Sequence, residues 1–326
     1  MNDPLIYARA AHYAATLSVA GAAFFIVFVA EPAFAAAGAP TRLPALLRRR
    51  LALLAWIALL LTVVSGAAWL VVVAQSMSDS SWAEVVSEGI LWTVLAQTGF
   101  GRVWPDRFVL ACLLAGMFVP FLSAEGVKSI PIKSVVGALA AGLVGALAWA
   151  GHAVGGAGIE GVVHLIADFV HLIAAAAWIG TLLPLALLLA AAGHDPASVA
   201  IARVATLRFS TVGIGSVGTL LVTGSINTWY LAGSVSALTE TDYGRLLLAK
   251  IALFLVIVAI AAVNRLRLTP RLVHDASAAG SAAALRQLRR NTAIEVALGA
   301  AIIAVVAVLG TSPPGFEALI HAHHSH

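Results

Sequence analysis

Apolar runs of about 20 residues recur along this chain, and nothing else in it constrains the fold as much. At 1.5 Å of rise per residue, such a run crosses a hydrocarbon core of ~30 Å as one helix. Lipid gives backbone polar groups no partner, so a spanning segment must satisfy them internally, which a helix does. The pattern gives eight spans: 5–31, 50–75, 106–124, 133–151, 161–190, 209–232, 244–263 and 292–310. Composition agrees. The chain is 61% hydrophobic and 10% charged, where a soluble domain carries about 25% charged residues. The expected fold is an all-α polytopic membrane protein. The opening stretch lacks the basic start of a cleaved signal peptide and its apolar run is overlong, so it counts as the first span.

Loop charges set the orientation. Arg42, Arg48, Arg49 and Arg50 lie between spans 1 and 2, and Lys128 and Lys133 between 3 and 4. Arg203 and Arg208 follow span 5. Arg265, Arg267, Arg271, Arg286, Arg289 and Arg290 lie between spans 7 and 8. The alternate connections carry Asp79, Glu84, Glu88, Glu160, Glu240 and Asp242 with few basic residues. Positive loops stay in the cytoplasm, so both termini are expected outside. The pI of 9.6 follows from these short basic loops and needs no nucleic acid. The long outer connection, 76–105, holds Trp82, Trp92 and Trp104 and reads as a segment lying in the membrane interface.

The two halves resemble one another. ARAAHYAATLSVAG (8–21) overlays ADFVHLIAAAAWIG (167–180), which pairs His12 with His171 and Gly21 with Gly180. LTVVSG (61–66) overlays TLLVTG (219–224), TGFGR (98–102) overlays TDYGR (241–245), and AWAGH (148–152) falls on AVLGT (307–311). The matches keep their order, and both halves begin on the same side. They predict two parallel-repeated four-helix units, 1–151 and 152–310, followed by a tail, 311–326. Sites in such proteins tend to lie at the repeat interface.

The polar residues inside the spans carry the functional expectation, because an ionisable group in hydrocarbon needs a partner or a purpose. His164, Asp168 and His171 share an arc of roughly 60° on one helix, with the histidines roughly 10 Å apart along its axis. Bonds from a metal to imidazole nitrogen are about 2 Å, so the set suits two stations better than one site. His152 and His164 form the expected entrance, and His12, Asp168 and His171 the deeper metal site. Bland readings stand beside these: a membrane histidine such as His12 can simply bond a neighbouring helix, and Arg9 can pair with Asp168. Lys250 can snorkel or pair with a carboxylate, and Asn227 can tie helices together. Gly21, Gly66, Gly180 and Gly224 read as close-packing positions, Cys112 and Met117 as packing. The lone cysteine excludes a disulfide framework and an all-cysteine metal cluster. The tail HAHHSH offers His321, His323, His324 and His326 as a secondary metal-capturing group. Little polar chemistry beyond Glu295 falls in the inner half.

The second half resembles the copper resistance protein D (CopD) family of bacterial inner-membrane proteins. The resemblance rests on GHA (151–153), HLIADFVHLIAAAAWIGTLLPL (164–185), RFSTVGIGSVGTLLVTGSINTWYLAG (208–233), YGRLLLAKIALF (243–254), NRLRLTPRL (264–272), LRRNTAIEVALG (288–299) and VLGTSPP (308–314). The first half is similar through RAAHYAATLSVAG and its arginine-rich loop. The resemblance implies a multi-pass protein that accepts periplasmic copper, beside a separate periplasmic chaperone of the CopC type, and it implies transport rather than catalysis. Methionine is scarce (Met1, Met77 and Met117), which favours imidazole over thioether ligands. The alternative is an electron-transfer protein with b-type haem held between His12 and His171.

Overall fold

The computed structural model describes residues 3–36, 41–78, 80–122, 129–151, 158–193, 195–274 and 278–315. Among them the chain is helical with no strand. Among the described residues eight helices are long and apolar enough to cross a membrane: Pro4–Ala36, Leu43–Ser78, Gly99–Phe121, Ile130–Ala150, Gly158–Ala191, Pro196–Ala232, Asp242–Leu272 and Ala282–Leu309. The first consists of α1 (Pro4–Phe25), a π-helical turn at Ile26–Ala30 and α2 (Glu31–Ala36). The second is α3 (Leu43–Ser78). Two short helices follow, α4 (Trp82–Ser87) and α5 (Ile90–Gln97), then α6 (Gly99–Phe121). Next come α7 (Ile130–Gly145), which tightens into a 3-10 turn at Ala146–Ala150, α8 (Gly158–Ala191) and α9 (Pro196–Ala232). The short α10 (Val235–Glu240) leads into α11 (Asp242–Val263), a second π-helical stretch at Asn264–Leu268, α12 (Thr269–His274) and α13 (Ala278–Leu309).

Several helices run well past their hydropathy runs. The second begins at Leu43 rather than 50, and the sixth at Pro196 rather than 209. Hydropathy marks only the lipid-crossing part, whereas a helix continues while propensity and caps allow it. Asp195 caps α9 by accepting from the Ser198 amide, and Pro196 occupies the first turn. Just before it, at the C-terminal end of α8, Arg289 donates to the Leu189 and Ala192 carbonyls at 2.6 and 2.5 Å. Arg289, expected between spans 7 and 8, thus lies on α13 and closes the end of another helix.

The outer connection folds as two short helices joined at Gly89, whose φ of 72° favours glycine. Trp82 and Trp92 are exposed, but Trp104 belongs to α6 and turns inward. The first and fifth spans are the most enclosed and form the centre of the bundle. They cross at Gly21 and Gly180. A Cβ at Gly21 would come 2.1 Å from the Gly180 carbonyl oxygen, so the crossing is backbone against backbone.

Candidate functional site

His12 lies on α1, almost wholly buried, between α3 and α6. Its Nε2 meets Arg107 Nη2 at 2.5 Å, and its Nδ1 meets Ser65 Oγ at 3.1 Å. A guanidinium only donates, so Nε2 is the acceptor and the proton of the neutral ring sits on Nδ1. Ser65 gives its own proton to the Leu61 carbonyl, which leaves its oxygen to accept from Nδ1. Both ring nitrogens are thus engaged. Trp69 and Trp104 pack against the imidazole with centroids 5.5 and 5.4 Å away. Gly66 makes the room: a Cβ there would approach His12 Cε1 to 3.2 Å and Trp104 to 2.7 Å. Arg107 lies over Trp104, and Arg9 over Trp69 with a hydrogen bond to the Tyr13 hydroxyl. Arg9 therefore turns to aromatic partners and not to Asp168. Arg9 Nε and Arg107 Nε and Nη1 are buried without a hydrogen-bond partner.

His171 lies on α8 and is half-buried. Its Nδ1 meets Thr223 Oγ1 of α9 at 2.9 Å, and Thr223 gives its hydroxyl proton to the Thr219 carbonyl. Thr223 must then accept, which again places the ring proton on Nδ1. Here, however, no described residue bonds Nε2, and its lone pair is available. Gly224 stands beside this ring as Gly66 stands beside the other, with a would-be Cβ 3.5 Å from His171 Cε1.

One turn away, Asp168 Oδ1 accepts from Asn227 Nδ2 at 3.2 Å. Gly151 lies against its other oxygen. The charge of Lys250 on α11 acts on both Asp168 and His171. Asn227 Oδ1 is buried without a partner. His164, a further turn along α8, stacks on Tyr230 with centroids 5.0 Å apart and planes 16° apart.

His164, Asp168 and His171 thus line one stretch of α8 facing α9, while His12 faces α3 and α6. Among the described residues no three His, Cys, Asp or Glu side chains gather closely enough to hold a metal ion. His152, His321, His323, His324 and His326 lie outside the described residues. Arg107, Ser65, Thr223, Trp69 and Tyr230 carry neighbourhoods that the sequence pattern did not mark, and Trp104, expected in the interface, packs on His12 instead. One signal was present: the offset aligning TGFGR with TDYGR also aligns Arg107 with Lys250.

Residues 1–162 match the family described as copper resistance protein D-like, N-terminal domain, and residues 203–309 match copper resistance protein D. The copper resistance protein D of Pseudomonas syringae pv. tomato is 32% identical over 227 residues, 69% of this chain and 72% of that protein. The chain belongs to the copper resistance protein D family. The inner membrane protein YebZ of Escherichia coli (strain K12) is 30% identical over 69% of this chain and 72% of its own length. The copper transport protein CutJ of Bacillus subtilis (strain 168) is 30% identical over 54% of this chain but only 32% of its own length. No solved structure matches the chain. Family and fold together make this a multi-pass inner-membrane protein with a copper-related function.

Proposed function

We propose that the chain takes up copper from the periplasm through a pocket on the α8–α9 face, with both termini periplasmic and a chaperone of the CopC type as donor. The observation that carries this reading is the Nε2 lone pair of His171, oriented by Thr223 and left open among the described residues. A metal-binding imidazole is usually fixed in this way, its other nitrogen donating to an oxygen. Asp168 supplies negative charge one turn away, and Lys250 balances that charge while the pocket is empty. An arriving copper ion takes over as the counter-charge. His164, held flat against Tyr230, is the station before it.

The same reading treats residues 1–151 and 152–310 as two four-helix units built on one plan. Ser65 and Gly66 against His12 parallel Thr223 and Gly224 against His171. The caps Thr98–Gly101 and Thr241–Gly244 parallel each other as well. His12 leaves the ligand set in this proposal, because Arg107 occupies its acceptor nitrogen. The tail 311–326 collects copper ahead of the pocket. The haem alternative gains no support, since both nitrogens of His12 are engaged.

Copper titration of the purified chain in lipid tests the pocket. A His164→Ala/His171→Ala double variant should bind copper at least about tenfold more weakly, since losing even a partner that orients a metal ligand costs about 10- to 100-fold. A variant that titrates like the parent removes the pocket from consideration. A sharp Soret band in the purified parent would overturn copper in favour of haem.

A further inference from the structure

The far end of the second half holds a polar group that the copper pocket does not use. Glu295 of α13 is 1% exposed. Its Oε2 accepts from Asn264 Nδ2 at 3.3 Å, while its Oε1 is buried without a hydrogen-bond partner. Asn264 begins the π-helical stretch that interrupts α11, and it is held in place by Asn291 Nδ2 at 2.6 Å, itself in line with Gln287. Such interruptions of regular helix recur at functional positions.

Glu295 borders a cavity of about 220 Å³, enclosed by α8, α9, α11, α12 and α13 and walled by Trp178, Phe209 and Leu189. Its mouth is marked by Ile214, 55% exposed, and by Arg265, whose Nη1 donates to Ser210 Oγ at 2.7 Å. Arg265 and Glu295 are the two charged residues that line it; α8, α9, α12 and the rest of α11 contribute none to its wall. Among the described residues no cation pairs with Glu295. A buried carboxyl at the edge of a cavity, with one oxygen tied to an amide and the other without a hydrogen-bond partner, has the form of a proton-carrying group in a membrane protein.

We infer that Glu295 is a proton-binding site whose loading is coupled to copper movement. Oε1 takes a proton from hydronium formed in water admitted past Arg265, giving the neutral carboxyl and one water molecule, and returns the proton by the same path. Asn264 and Asn291 keep Oε2 fixed throughout, so protonation changes charge without moving the helix. The coupling rests on the transport reading above; proton binding does not.

Two measurements on the full chain in lipid separate these parts. Infrared difference spectra between acid and alkaline buffer should show a protonated-carboxyl stretch that is lost in Glu295→Gln, shifted in Glu295→Asp and kept in Glu84→Gln. A band unchanged in Glu295→Gln overturns the site, and so does the absence of any titrating band. In proteoliposomes, an imposed pH gradient should change copper flux severalfold in the parent. Glu295→Gln should bind copper normally and lose that response. A gradient response that survives Glu295→Gln overturns the coupling. A parent without copper flux overturns the transport reading and the coupling together, while the titrating band decides proton binding by itself.

Discussion

The neighbourhoods of His12 and His171 share a plan but differ in what surrounds Nε2, and that difference separates a closed imidazole from an open one. Both rings donate from Nδ1 to a hydroxyl on the next long helix, and both have a glycine alongside. At His12 the guanidinium of Arg107 reaches Nε2, and two tryptophans close around the ring. At His171 the cation is Lys250, which acts from further off, and the space is shared with Asp168 and Asn227. A planar guanidinium with five donors is suited to seize an acceptor nitrogen; an ammonium on a flexible stem is a point charge that an incoming ion can displace. A similar local arrangement thus encloses one imidazole and leaves Nε2 of the other without a partner among the described residues.

Gly21 and Gly180 hold the two neighbourhoods in relation, and the largest effect should come from there. Gly21→Val places side-chain atoms on the Gly180 backbone, which cannot retreat as a flexible side chain would. The cost should be about 3 kcal/mol, the upper part of the overpacking range. Thermal unfolding followed by size-exclusion of the detergent-solubilised chain will show it as early loss of the monodisperse peak. A variant as stable as the parent breaks the picture of two halves pressed together at this point.

Next in size is the hydroxyl pair. Thr223→Val should weaken copper binding about 10- to 100-fold, the usual cost of losing a partner that orients a ligand. Ser65→Ala should leave copper affinity unchanged. Equal losses from both substitutions, read by competition titration, would show that His12 contributes as much as His171.

The contrast sharpens further at Arg107. Arg107→Met keeps apolar bulk against Trp104 and releases Nε2 of His12. The copper stoichiometry of the variant should rise by a weak second site, and an unchanged stoichiometry would mean that enclosure by the tryptophans, and not the guanidinium, closes that ring.

The smallest effect is expected at the short helices that only the first half places before its third span at such length. The Ser81 amide and hydroxyl hold the exposed Glu84 carboxyl below the usual carboxylate range. A depressed folded pKa means that the cap is fully formed above the ordinary carboxylate value and is lost as pH falls through the lowered one. The protection of the Ser81 amide against hydrogen exchange, taken relative to the intrinsic rate at each pH, should fall in acid across that window, and Glu84→Gln should flatten the pH response.

The eight spans were legible because hydropathy answers to one dominant cost, that of unpaired polar groups in lipid. Helix ends were less so: Arg48, Arg49 and Arg50 read as loop residues, yet they lie within α3, where Arg48 pairs with Glu31 at 2.7 Å. The shared face of His164, Asp168 and His171 was legible from helical spacing. The fate of His12 was not, because Arg107 lies 95 residues away and only a tertiary contact brings it to Nε2. Gly66 and Gly224 were read as helix-packing positions, but they stand beside imidazoles. A missing side chain looks the same in a sequence whether it admits a backbone or a ring. Glu295 stood out as a buried carboxyl; the cavity beside it depends on how five helices leave space between them, which no local pattern records.

A crossing made of two main chains has no rotamers to exchange and no side-chain volume to redistribute. At that level the two helices already touch backbone to backbone and cannot come closer. Closer approach of α1 and α8 elsewhere along the seam therefore pivots on the Gly21–Gly180 contact, opening one end of the seam as the other end closes.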